Sequence, residues 1–404
     1  MLAFTGLNEQ LTASFQPIVS VASGRTFAYE TLGRQRGESG RLESLGPFFH
    51  DETVPLSKKV EVDRQIRRQA LKTFRDGIIT KDDETRLFLN INPRWLLRYN
   101  AAESQGRLPT LQILDELGIA GRRVVIEITE EEIYTDFEAV IPLIDEYRGR
   151  GLKIAIDDFY FNNFDRLIEL RPDFVKLDLR LLRKSVEHSG YQKLVNTISS
   201  FSQTIGISVI FEGIETTEEL TVAIAAGASY VQGFLFSRAE ASFQSPNRFQ
   251  DIIRDCTESA LRPLFQNARE SVSLERYMNA TIRKFVIEQS ADGVDPMKSD
   301  GFLQSLSEVV PANCFRMYIC DDRGIQMSAN FDRERPEDPF RPDHHSAGCN
   351  WSWRPYFVEG LVRMQENRVG VMSDRYIDVD TKQFTTTFSY PLSEKLFLFL
   401  DFTT

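Results

Sequence analysis

Lys153-Ile154-Ala155-Ile156-Asp157-Asp158-Phe159 and, after an amphipathic interval, Pro172-Asp173-Phe174-Val175-Lys176-Leu177-Asp178 are two apolar runs of strand length, each with charged residues in or at the end of it. Consecutive apolar residues suit a strand covered on both faces, as in a parallel sheet between helices. The charged residues need a separate reason, because an isolated buried carboxylate is costly.

Working outward, β-rich runs occur at Phe15–Val21, Phe27–Leu32, Leu87–Asn92, Val124–Thr129, Lys153–Phe159, Phe174–Leu179, Ser208–Ile214 and Tyr230–Phe236. Amphipathic stretches separate most of them. One is Val60 to Phe74; another is Phe137 to Arg148, with Val140, Leu143, Ile144 and Tyr147 on one face. The alternation predicts an α/β fold, a modified (β/α)8 TIM-like barrel over residues 1–244. The first two runs are joined only by Ala22-Ser23-Gly24-Arg25, too short for a parallel crossover. They form a hairpin, so one barrel strand runs antiparallel.

Nearly every run carries a polar interruption: Glu30, Asn90, Glu127, Asp157 with Asp158, Lys176 with Asp178, Glu212 with Glu215, and Gln232. Taken singly, an acid at a strand end reads as a turn or helix cap. Lys176 alone reads as a lysine that buries its stem and keeps its head in water. Repeated strand after strand, the pattern places oxygen-bearing groups around the C-terminal mouth of the barrel, where such folds carry their sites. Clustered carboxylates repel one another and become favourable beside a divalent cation. Hard oxygen donors without cysteine or histidine point to Mg2+ or Mn2+.

The bulk composition bounds the partners. A formal net charge of -11 argues against a nucleic-acid polymer as ligand, and no apolar run is long enough to suggest membrane insertion. The first ten residues lack the pattern of a signal peptide, and the four cysteines form no close pair. A cytoplasmic setting is the expectation.

Gln16-Pro17-Ile18, Tyr29-Glu30-Thr31-Leu32-Gly33-Arg34, Glu127-Ile128-Thr129-Glu130, Asp157-Asp158-Phe159, Glu212-Gly213-Ile214-Glu215-Thr216 and Gln232-Gly233-Phe234 lie in this order, with Asn90 and the Pro172–Asp178 stretch between them. In order and spacing, residues 12–240 resemble the EAL family of cyclic di-GMP phosphodiesterases. The resemblance implies hydrolysis of cyclic di-GMP to linear pGpG. It assigns Glu30, Asn90, Glu127 and Asp157 to one metal, and Asp157, Asp158 and Glu212 to a second. Lys176 and Glu212 are the implied catalytic groups, Glu212 as general base. Gln16, Arg34, Asp178, Glu215 and Gln232 are implied nucleotide contacts, and Glu130 anchors a loop. A homodimer is expected on the same ground. The family follows its paired aspartates with Phe-Gly-x-Gly-x-Ser-Ser; here the residues are Phe159-Tyr160-Phe161-Asn162-Asn163-Phe164-Asp165. Both glycines, and their access to positive φ, are gone. A receptor that holds the nucleotide without turning it over therefore stands beside the enzyme, and a scaffold without nucleotide is a third reading.

Residues 245–300 read as a helical linker, with Pro263 expected to break or kink it. Residues 301–404 turn β-rich: Phe315–Cys320, a turn at Asp321–Gly324, Ile325–Ala329, Val369–Ser373, Phe384–Tyr390 and Leu396–Phe402. With Trp353-Arg354-Pro355-Tyr356-Phe357 and Ser373-Asp374-Arg375-Tyr376-Ile377-Asp378, they resemble an α+β sensor domain of PAS/Cache-like type, as follows the EAL domain in YkuI-type proteins. Trp353, Tyr356 and Tyr376 are expected to wall a pocket in which Arg354 and Asp378 fix a small polar molecule. The alternative is that the aromatics are core and Arg354 pairs with an acid structurally.

Overall fold

The computed structural model describes residues 11–37, 40–78, 84–92, 108–129, 137–159, 164–177, 180, 183–184, 189–291, 299–354 and 356–403. The chain divides between Arg262 and Pro263 into two compact units.

The first unit is built on β1 (Leu11–Ser20), β2 (Thr26–Arg36), β3 (Leu42–Ser44), β4 (Arg86–Asn90), β5 (Val124–Thr129), β6 (Lys153–Asp157), β7 (Phe174–Leu177), β8 (Ser208–Phe211) and β9 (Tyr230–Gln232). The sheet order is β1-β9-β8-β7-β6-β5-β4-β2-β3, and β1 also pairs with β2, which closes eight strands into a barrel. β1 runs antiparallel to both neighbours, β2 and β9, while the remaining barrel pairs are parallel. This is the expected (β/α)8 departure. All eight anticipated strands form.

Strand alternation sorts the side chains. On β5, Val124, Ile126 and Ile128 join the core beneath the helices, and Val125 joins a second cluster with Ile18, Ala28, Phe88, Ala155, Phe174 and Ile210. Those seven residues come from seven different strands, and Tyr230 of the eighth packs against them. They form one apolar layer inside the barrel, and side chains two residues further along each strand share its inward direction. The helix Leu56–Gly77 buries Val60, Val62, Ile66, Ala70, Leu71 and Phe74, and the helix Phe137–Gly149 includes buried Val140, Ile144 and Tyr147.

The helix Gln250–Ala291 runs 42 residues with Pro263 inside it. Pro263 does not end the helix, contrary to a break; it removes one N–H, leaving the Ser259 carbonyl without its helical donor. Ile253 and Cys256 of this helix enter the barrel core, and Met278, Ile282 and Phe285 enter the core of the second unit.

The second unit has an antiparallel sheet ordered β12-β11-β10-β16-β15-β13, with β14 also on β15. Its strands are β10 (Cys314–Asp321), β11 (Asn330–Asp332), β12 (Arg341–Asp343), β13 (Val371–Met372), β14 (Tyr376–Ile377), β15 (Phe384–Pro391) and β16 (Leu396–Thr403). With the helices Ser299–Leu306 and Phe357–Asn367 it is α+β. The turn at Asp321 forms around Gly324 at φ 83°. Ile325–Ala329 does not form the expected strand. It makes only isolated bridges, Cys320 to Gln326 and Ile325 to Asn350, and the neighbouring strand begins at Asn330. There the Ser328 hydroxyl accepts from Ile319 N at 2.9 Å, a side chain standing where a ladder would use a backbone carbonyl, and Gln326 Oε1 accepts from Trp351 Nε1 at 2.7 Å.

No helix among the described residues is long and apolar enough to cross a membrane.

Candidate functional site

Two residues beyond the apolar barrel layer, toward the mouth, the same strands carry Gln16, Glu30, Asn90, Glu127, Asp157, Lys176, Glu212 and Gln232. The register pairs Gln16 with Glu30 and Asn90 with Glu127, while between β5 and β6 it is staggered, so that Asp157 faces Thr129. The candidate site is therefore one polar side-chain layer stacked on one apolar layer.

Lys176 sits at its centre and is 1% exposed. Its Nζ lies 2.5 Å from Glu127 Oε1, 3.1 Å from Glu212 Oε2, 3.2 Å from Glu30 Oε2 and 3.3 Å from Asp157 Oδ1. The isolated reading of Lys176 as a lysine reaching water is thus overturned: the inward alternation of β7 leaves its head no route to solvent. Gln232 Nε2 donates to Glu30 Oε2 at 2.7 Å and to Gln16 Oε1 at 3.4 Å. Asn90 Nδ2 donates to Glu30 Oε1 at 3.2 Å.

One ammonium cannot balance four carboxylates. Burial raises the Glu127 pKa well above the carboxylate range; Glu30 and Asp157 add to the shift and Lys176 opposes it. Burial likewise pushes Glu212 up to about 8, against the pull of Lys176. Burial would lower the Lys176 pKa, but Asp157, Glu127, Glu212 and Glu30 together hold it well above its usual value. Burial would raise Asp157, but Lys176 outweighs it and the carboxyl stays low. Glu127 Oε2 and Gln232 Oε1 are buried without a hydrogen-bond partner. Oxygen atoms of Asp157, Asp158 and Glu212 lie within 4.8 Å of one another. Excess buried negative charge, orphaned oxygens and all-oxygen donors fit a hard divalent cation.

Local geometry holds the layer in place. Asp158 follows β6 at φ 50°, a left-handed turn that aspartate tolerates better than most residues. Gly233 follows Gln232 where a Cβ would fall 2.0 Å from the Ile214 carbonyl oxygen, so only glycine lets the chain after β8 cross here. That crossing is hydrogen-bonded from Ile214 N to Gln232 O at 3.0 Å.

Arg34 lies four residues beyond Glu30 on the same face of β2; burial lowers its pKa and Glu30 counters. A cavity of about 550 Å³ is lined by Glu30, Arg34, Asn90 and Glu127, and by Phe49 and Arg67. Glu215 is not in the polar layer. Its carboxylate meets Arg183 at 3.0 Å, and the same guanidinium meets Glu219 at 2.9 Å. Arg183 is a site neighbour that sequence reading missed, since only the fold brings it there. Asp178 and Glu130, and Tyr160–Asn163 of the altered loop, lie outside the described residues.

In the second unit Asp378, expected to fix a small polar molecule together with Arg354, is taken up by contacts within the fold. Asp378 meets Arg316 at 3.1 Å and accepts from the backbone of Asp380 and Thr381, so turn capping and Arg316 occupy it fully. Tyr356 and Tyr376 do come together, with ring centroids 5.3 Å apart.

Residues 3–239 match the family model of the EAL domain, and residues 250–404 match that of an EAL-domain associated signalling protein domain. The uncharacterized EAL-domain containing protein YkuI of Bacillus subtilis is 32% identical over 395 residues, 96% of this chain and 93% of that protein. The crystal structure of YkuI with substrate c-di-GMP and calcium is similar at TM-score 0.88 and 30% identity, over 100% of this chain and 98% of that one. Klebsiella pneumoniae BlrP1, in a manganese/cy-diGMP complex, is similar at TM-score 0.51 and 26% identity, over 59% of this chain and 58% of that one. Cyclic di-GMP phosphodiesterase RocR of Pseudomonas aeruginosa is 27% identical over 234 residues, 57% of this chain and 58% of that protein. The polar layer at the barrel mouth and these likenesses lead to one assignment: the chain belongs to the EAL domain family.

Proposed function

We propose that this chain is a Mg2+- or Mn2+-dependent phosphodiesterase that hydrolyses cyclic di-GMP to linear pGpG, with its C-terminal unit acting as a sensor. The observation that carries the proposal is the surplus of buried carboxylates around Lys176, with Glu127 Oε2 left unbonded. The calcium and manganese in the nucleotide complexes of YkuI and BlrP1 support a divalent ion.

Glu30, Asn90, Glu127 and Asp157 are the proposed ligands of one ion, and Asp157, Asp158 and Glu212 those of a second. Bound there, divalent cations supply charge neutralisation and Lewis-acid activation for attack on a phosphodiester. The chain's own groups do the rest. Glu212 takes the proton of the attacking water. The water oxygen bonds to phosphorus, the bond from phosphorus to the 3′ oxygen breaks, and that oxygen gains a proton to leave linear pGpG. Lys176 fixes the carboxylates in register. Arg34 offers a planar fork of donors to phosphate, and Gln16 and Gln232 orient the nucleotide beside Glu30. Asp178 and Glu215 are proposed further contacts, and Glu130 a loop anchor. A cytoplasmic homodimer belongs to the same reading.

The absent loop glycines after Phe159 favour a second reading, a receptor that binds cyclic di-GMP without turnover. Incubation with cyclic di-GMP and Mn2+, with products separated by chromatography, distinguishes the two. The enzyme yields pGpG, and Glu212→Gln abolishes it. Tight binding with intact nucleotide at stoichiometric protein supports the receptor and overturns hydrolysis.

A further inference from the structure

The chain that leaves β8 carries Glu212 into the polar layer and Glu215 just beyond it. Its backbone is held from several sides. Glu212 N donates to the carbonyl of Leu177, the last residue of β7, at 3.1 Å. Ile214 N donates to Gln232 O and Ile214 O accepts from Leu235 N, both at 3.0 Å. Glu219, in the helix Thr217–Ala225, folds back on the same segment: its Oε2 accepts from Glu215 N at 2.8 Å and from Thr216 N at 3.2 Å. The backbone at Glu215 is therefore fixed. Its side chain is a separate matter, because the bonds between Cα and the carboxylate are still free to turn.

Arg183 holds that side chain. It lies beyond the end of β7, and the pairing of β7 with β8 is what brings it to the outlet of β8. Its Nη2 meets Glu215 Oε2 at 3.0 Å, and its Nε donates to Glu219 Oε1 at 2.9 Å. A lone ion pair at the surface contributes little, since water competes and both side chains lose freedom. Here two nitrogens of one planar fork take two carboxylates. The Glu219 side chain is 11% exposed and already anchored by the two backbone N–H groups. Arg183 is thus tied to a fixed point before it reaches Glu215. The Glu215 side chain is itself 48% exposed, so its carboxylate is both held and open to a ligand.

We propose that Arg183 is a positioning residue for nucleotide binding: it fixes the Glu215 carboxylate beside the barrel mouth, where that carboxylate accepts from N–H or O–H groups of cyclic di-GMP. The inference rests on the proposed role of Glu215 as a nucleotide contact. A carboxylate that is already fixed loses little rotamer freedom when the ligand arrives, so the loss of Arg183 weakens binding through Glu215.

The test uses the full chain and reads binding rather than turnover. Calorimetric titration with cyclic di-GMP is done in Ca2+, the ion of the YkuI complex, with the nucleotide checked by chromatography afterwards. Arg183→Ala raises the Kd at least about fivefold. In a Glu215→Gln background the same change raises it by less than about twofold, because the carboxylate that Arg183 positions is gone. Arg183→Gln, closer in size to arginine, decides the question if Arg183→Ala fails to fold by circular dichroism. A Kd unchanged in the arginine variants overturns the inference, even if the melting temperature falls, since that is the mark of a helix cap alone. A loss equally large in the Glu215→Gln background also overturns it. If the parent protein binds no cyclic di-GMP, the reading of the site fails first and the inference falls with it.

Discussion

Lys176 is the residue on which the barrel mouth turns. Four carboxylate oxygens lie within 3.3 Å of one buried ammonium. Removing one partner from a buried ionic cluster costs about 3–5 kcal/mol, because the others are left uncompensated. Lys176→Met is accordingly expected to destabilise the metal-free protein on that scale in denaturant titration, and added Mn2+ to restore more stability to the variant than to the parent. Glu212→Gln keeps the size of the side chain and removes the base, so turnover should fall about 10²–10⁴-fold with the fold intact. The titration of Glu212 gives a pH prediction. Its folded pKa, about 8, is raised above the usual carboxylate value of 4.5. A raised carboxyl contributes stability that is present below the unfolded pKa and lost as pH rises through the folded one. Metal-free protein should therefore lose stability between pH 4.5 and about 8 from this group. Metal binding needs the ionised carboxylate, so Mn2+ affinity should rise over that same upper range and release protons, as calorimetry in buffers of different ionisation enthalpy will measure.

At the scale of elements, alternation explains what could be read in advance. On β2, β4, β5, β6, β7, β8 and β9 the polar residue follows an inward apolar residue by two positions: Ala28 to Glu30, Phe88 to Asn90, Val125 to Glu127, Ala155 to Asp157, Phe174 to Lys176, Ile210 to Glu212, Tyr230 to Gln232. On the antiparallel β1 the step is reversed, from Ile18 back to Gln16. That period-2 pattern is in the sequence, and so the barrel and its polar layer were legible there. What was not legible depends on approach between distant residues. Arg183 reaching Glu215, Arg316 taking Asp378 across 62 positions, and the burial of the Lys176 head all follow from how the strands close. Ile325–Ala329 misled because its alternation resembles a strand, whereas its contact with β10 is made in part by the Ser328 hydroxyl, which accepts from Ile319 N. Helix ends make a simpler test. Thr216 and Glu219 form a capping box on the helix Thr217–Ala225, immediately after Glu215. Thr216→Ala should cost about 1 kcal/mol in urea denaturation.

Across the whole molecule, the helix Gln250–Ala291 contributes to both cores. In its second half, Glu275 accepts from Met372 N at 2.7 Å, and Asn279 exchanges bonds with both backbone groups of Gly370, at 2.6 and 2.9 Å. These side chains tie the helix to the edge at β13, close in sequence to the helix that follows Arg354. The polar layer at the barrel mouth is the proposed cation site on which hydrolysis depends. Anomalous diffraction from crystals soaked in Mn2+ tests it directly. The predicted result is manganese density within bonding distance of Glu30, Asn90, Glu127 and Asp157, lost in Glu127→Gln. A mouth free of manganese, in crystals of protein that still cleaves cyclic di-GMP with that metal, would contradict it.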